Sequence, residues 1–177
     1  MTQHTSRSSV PRFIDARKFA QQQGKIQGQL DLSSLPRILE VAQEKAGVVE
    51  VDLDFKIDDH GHSVVTGTID TNFSVVCQRC LGPLPVSVSS DVNVAVTRDQ
   101  ADAKLLPRSL DPWIVEGESG DLHELIEEEI LLELPMAPFH DYECVPDAMF
   151  SSGEEKQETK TTNPFSVLEQ LKGSPKQ

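Results

Sequence analysis

Cations, aromatic rings and cysteines are all scarce in this chain. Of 177 residues, 5% are aromatic, and 16 Lys and Arg face 29 Asp and Glu, for a net charge of −13. So acidic a body repels phosphate, so nucleic acid could be gripped only through a local basic patch, and basic protein partners fit better. Three cysteines, an odd count, do not make a disulfide framework and point to a reducing compartment. No apolar run approaches the roughly 18 residues a membrane span needs. The opening MTQHTSRSSVPRF has no apolar stretch after its charges, so it does not read as a secretory signal. These absences predict a cytosolic protein. Hydrophobic residues make up 37% of the chain, low for this length, so part of it is expected to lie outside a packed core.

The few cations are clustered. Residues 1–28 hold Arg7, Arg12, Arg17, Lys18 and Lys25 against Asp15 alone, a net +4 that leaves −17 on the remainder. This stretch is expected to be a basic N-terminal arm. Arg12, Arg17 and Lys18, with Arg79 further along, are the candidate phosphate contacts, and the alternative is a solubilising terminus.

Periodicity predicts an α+β core over residues 29–146. Leu35, Ile38, Leu39 and Ala42 fall at helical spacing, giving a helix near 34–46 with Ser33 or Ser34 as N-cap and Gly47 closing it. GVVEVDLDFKID then alternates with a period of two, as do SVVTGTIDTNFSVVC and PVSVSSDVNVAVTR. Three strands joined by short turns predict an antiparallel meander with one wet face, and Gly67 marks a candidate bulge. Residues 98–120 read as irregular, with Trp113 as a core plug or loop anchor. SGDLHELIEEEILLELP predicts a second helix, capped by Asp121, with Glu124 at capping-box spacing and Pro135 as its stop. Leu122, Leu125, Ile126, Ile130 and Leu132 would form its apolar side. Residues 147–162 are expected to be a disordered polar linker. Asn163 and Pro164 then open a short amphipathic helix over 163–177, with Phe165, Leu168 and Leu171 along one side, either as a partner-binding face or folded back on the chain's own domain.

The cysteines carry the one constellation with metal chemistry. A redox C-x2-C needs a helix starting at the pair, to lower the thiol pKa. Here Cys77 and Cys80 are followed by LGPLPV, which leads into a strand. A tight turn between strands suits a zinc knuckle instead. His140 and Cys144 could complete a Cys3His set, with all four positions filled by protein, which would make it structural. The alternative is a hairpin whose thiols are simply free. No nucleotide loop or Ser/His/Asp arrangement appears. Glu127, Glu128 and Glu129 are consecutive, fanning around their helix at about 100° steps, so they cannot converge on one Mg2+. No enzymatic activity is expected.

Three stretches, VVCQRCLGPL, IEEEILLELPMAPFH and NPFSVLEQLK, stand in that order and at a characteristic spacing. Together they resemble the bacterial large ribosomal RNA subunit accumulation protein family, which has chloroplast relatives, from about Asp15 to Lys172. The resemblance implies a role in the synthesis, processing or stability of 23S ribosomal RNA, without established catalytic chemistry. It implies large-subunit ribosomal or rRNA-processing proteins as partners, and rRNA contacted directly or indirectly. Some relatives look richer in cysteine after the acidic helix, where this chain has His140 and Cys144.

Overall fold

The computed structural model describes residues 9–146. It is α+β, as the periodicities predict. The chain runs β1 (Phe13–Ile14), α1 (Ala16–Gln21), β2 (Lys25–Asp31), a 3-10 turn (Leu32–Ser34), α2 (Pro36–Val41), β3 (Val48–Ile57), β4 (Ser63–Val76) and β5 (Pro83–Thr97). It continues through α3 (Gln100–Ala103), β6 (Asp111–Ile114), β7 (Gly120–Asp121) and α4 (Leu122–Glu133). Strands β2 to β6 form an open five-stranded sheet in sequence order, antiparallel except for the β5–β6 pair. β1 and β7 make a separate two-stranded pair.

The meander arises from alternation. Val49, Val51, Leu53 and Phe55 of β3 are buried, and Ile69, Phe73 and Val75 of β4 and Val88, Val92 and Val94 of β5 join the same core. Glu50, Asp52, Asp54, Asp70 and Asp91 stand between these positions on the polar side. Gly67 makes no bulge, because pairing runs through it without a slip, opposite Leu53 on one side and Val92 on the other. It sits at φ 152°, and a Cβ there would collide with the Asp52 carbonyl oxygen. Glycine is required by close backbone approach instead.

α4 lies over the core side of the sheet, with Leu122, Leu125, Ile126 and Ile130 buried. Asp121 caps it, its Oδ1 accepting from the amides of His123 (3.0 Å) and Glu124 (3.2 Å). Leu132, expected on the apolar side, is exposed, and Glu127, expected outside, is buried. Glu127 accepts from the backbone N–H of Arg37 at 2.8 Å. α2 has Leu35 at its N-cap with no side-chain cap of its own, so Glu127 satisfies one of its orphan donors.

α2 is shorter than the expected 34–46 and is not capped by Ser33, Ser34 or Gly47. It ends at Val41 because Ala42 bridges to Val75 and Gln43 donates its N–H to Ser74 O, a strand-like contact that replaces further helix. The irregular expectation for 98–120 misses α3 and the parallel β6, whose Trp113 is buried in the core.

The basic stretch from residue 9 onward is not a free arm. Val10, Ile14, Ala16, Ala20 and Ile26 are core residues, and Phe19 meets Phe55 edge to face at 5.2 Å. The candidate contacts Asn163, Pro164, Phe165, Leu168 and Leu171 lie outside the described residues, as do Arg7 and the linker from 147 on. No helix among the described residues is long and apolar enough to cross a membrane.

Candidate metal centre

The β4–β5 hairpin turns over residues 77–82. Leu81 takes a left-handed φ of 60°, its N–H bonds to Cys77 O at 2.9 Å, and the N–H of Cys77 bonds to Gly82 O at 2.9 Å. This wraps the two cysteines around one point, with Cys77 fully buried and Cys80 half-buried. After α4, Pro135 ends the helix and residues 135–144 return to the hairpin. The Gln78 N–H donates to Pro138 O at 2.8 Å, Arg79 reaches Tyr142 O at 3.2 Å, and its guanidinium lies 4.9 Å from the centre of the Phe139 ring. These contacts bring His140 and Cys144 onto the knuckle.

The four expected ligands converge, with their donor atoms all within 4.8 Å of one another. Cys77 Sγ and Cys144 Sγ are 3.9 Å apart, and Cys80 Sγ lies 3.5 Å from His140 Nδ1. A tetrahedral Zn2+ with bonds of about 2.3 Å to sulfur and 2.0 Å to nitrogen sets S···S near 3.8 Å and S···N near 3.5 Å. The two closest pairs match that ion, and the donor types suit it. The second shell fits too: His140 Nε2 lies 3.1 Å from Pro83 O, so with its proton on Nε2 it leaves the Nδ1 lone pair facing the thiols.

Electrostatics favour a thiolate here. Burial alone would push the Cys77 thiol up, but the amides of Cys80, Arg79 and His140 and the Cys80 side chain outweigh it and bring it to about 5. Cys144 is pushed up, first by burial and then by the neighbouring Cys80 and Cys77 sulfurs. One thiolate forms readily and opposes the next, a repulsion that a divalent cation would relieve.

The other expected site residues have different fates. Arg12 forms an ion pair with Asp121 at 3.0 Å. Arg17 donates to the carbonyls of Thr97 (2.9 Å), Val115 (2.9 Å) and Gly117 (3.1 Å). Arg79 is engaged within the knuckle, and Lys18 is exposed on α1. Each of the three arginines thus has a partner within the fold. Glu127 and Glu128 both engage Arg37, through its backbone N–H and its guanidinium, while Glu129 accepts from Ser90 Oγ.

Residues 65–172, which hold both ligand pairs, match the family model of the large ribosomal RNA subunit accumulation protein YceD. The chain belongs to this family. It is 28% identical over 169 residues to the large ribosomal RNA subunit accumulation protein YceD of Haemophilus influenzae, across 92% of this chain and 96% of that protein. No solved structure matches the chain. For this YceD-family chain, the four Cys and His residues singled out from the sequence do come together. Sequence reasoning missed the apolar wall beside it, because Val41, Val75 and Leu134 are brought together only by the folded ends of α2, β4 and α4.

Proposed function

We propose that this chain is a non-enzymatic factor that supports accumulation of the large ribosomal RNA by contacting basic ribosomal or rRNA-processing proteins, on a fold pinned by a structural Zn2+. The observation that carries the reading is the match of the chain to the YceD family over the segment that holds the donor set. Zinc would be held by Cys77, Cys80, His140 and Cys144. Four protein ligands leave no open position for water or substrate, which supports a structural role. When bound, the ion supplies the charge that keeps three sulfurs ionised in one site.

Adaptor action is preferred to direct RNA contact on local evidence. Arg12, Arg17 and Arg79 have carboxylate, carbonyl and aromatic partners within the fold, and of the set only Arg12, itself ion-paired, and Lys18 are exposed. The net charge of −13 disfavours phosphate and favours basic proteins.

Metal analysis of protein purified without added zinc should find about one Zn per chain, with X-ray absorption fitting three sulfurs and one nitrogen near the distances above. Cys80→Ser should lose the metal and expose the amides of residues 135–144 to hydrogen exchange while the sheet stays protected. Metal-free native protein, or a Cys80→Ser variant with unchanged exchange, refutes the zinc. In cells, deleting the chain should lower 23S rRNA, and tight salt-sensitive binding of 23S fragments by the purified protein would favour direct RNA contact instead.

A further inference from the structure

Beside the metal-ligand cluster, the C-terminal ends of α2 and α4 leave an apolar groove of about 480 Å3. Its walls include Val41, Val75, Leu131, Leu134 and Met136. Met136 is fully exposed, Val41 is 39% exposed, and Leu131 and Leu134 are half-buried. Its volume falls in the range of about 300–1,000 Å3 typical of binding clefts. Gln78 and Pro138, each next to metal-ligand segments and bonded to one another at 2.8 Å, form part of the same lining.

The surround is negative. Glu40 lines the groove, and Glu44 lies 3.4 Å from Ser74 at the neighbouring strand. α4 ends with Glu133 and has no basic residue in its last turn, and Leu134 at that end lines the groove. α2 likewise lacks a basic residue in its last turn. A helix C-terminus in that state attracts a cation. Lys45 is the sole cation of the α2–β3 connection, and Arg37 is already paired with Glu128.

We propose that this groove docks a basic protein segment, seating an apolar side chain between the ends of α2 and α4 while flanking Lys or Arg meet Glu40 and the α4 carboxyl end. The proposal rests on the adaptor reading and supplies its contact surface. A protein segment is favoured because burying several half-exposed aliphatic side chains gives affinity, and the acidic rim selects the sign of the partner. It also ties docking to the metal, since Gln78 and Pro138 are held in place by the two halves of the ligand set.

The test is photocrosslinking in cells from the full-length chain carrying Met136→p-benzoylphenylalanine, with Asp91→p-benzoylphenylalanine on the opposite sheet face as control, and mass-spectrometric identification of the linked peptides. The expected product is a protein segment with an apolar residue flanked by Lys or Arg, formed roughly tenfold more from Met136 than from Asp91, and reduced about tenfold by Val41→Asp. Crosslinks to RNA, to a second copy, to residues 163–173 of the chain itself, to segments without flanking cations, or no crosslink at all, overturn the proposal. Should Val41→Asp melt early, Glu40→Lys, at an exposed position, takes its place and should give the same loss. The adaptor reading fails separately: a deletion strain with normal 23S rRNA refutes it. A deletion defect fully restored by Val41→Asp or Glu40→Lys refutes only the groove.

Discussion

Arg17 lies in the stretch whose charge pattern pointed to phosphate, yet its guanidinium meets three backbone carbonyls. It fastens α1 to the end of β5 at Thr97 and to Val115 and Gly117 beyond β6. Replacing it with Met keeps the aliphatic stem and removes the three bonds. The bonds to Thr97 and Val115 are part-buried and the one to Gly117 is exposed, so water can replace the third. A hydrogen bond to a charged group contributes about 1.5–3 kcal/mol. Thr97 O keeps the N–H of Val115 at 2.8 Å, which takes the lower end of that range for its share. Two such bonds make about 3 kcal/mol, and partial rehydration brings the expected loss to about 2–3 kcal/mol. For a chain of this size that is a fall in Tm of roughly 4–12 °C. Lys18→Met, one residue on and exposed, should stay within about 0.5 kcal/mol of the parent. Urea unfolding of both variants, with metal content held constant, measures the difference. An Arg17→Met protein as stable as Lys18→Met would refute the structural role and return Arg17 to the list of RNA contacts.

Two carboxylates of α4 allow further checks. Glu127→Ala removes the acceptor of the Arg37 amide and opens a buried space, with an expected loss of about 2–3 kcal/mol in urea unfolding, whereas Glu127→Gln keeps an acceptor and should lose less than half of that; equal losses would mean that charge, not the hydrogen bond, holds α2. Burial pushes the Glu129 carboxyl up, the Ser90 hydroxyl pulls it back, and Asp111, Glu128 and Glu133 push it further up. A raised acid favours the protonated fold, so its ionisation destabilises as pH rises through the ordinary 4.5 and the penalty persists above the folded value. Glu129→Gln should therefore raise Tm at pH 7 and lose that advantage below about pH 4; a constant offset at both would refute the assignment.

How much could be read beforehand follows the range of each interaction. α4 and its Asp121 cap were legible because apolar spacing and capping are local, and the three long strands because alternation is local too. α2 lost its predicted second half to a pairing with β4 thirty-odd residues on, and took its cap from Glu127, 90 residues away. α1 and β2 hid behind their charges: Ala16, Ala20 and Ile26 are too few and too spaced to outvote five cations in a composition argument, although packing buries them. The four ligands were legible despite their separation because Cys and His in an acidic, cysteine-poor chain are conspicuous by type. Their actual convergence depended on the Gln78–Pro138 and Arg79–Tyr142 contacts, which no spacing announces.

The two halves of the ligand set also differ in when they exist. Cys77 and Cys80 belong to the turn of one hairpin, so they are placed as soon as β4 and β5 pair. His140 and Cys144 leave the ribosome some 60 residues later, about 3–12 s at ordinary rates of synthesis, and follow α4 in the chain. Two thiols hold a metal ion weakly, and four donors hold it tightly. A retained ion would thus be a timestamp of completion: a chain stalled or truncated before His140 keeps its hairpin but lets its metal go.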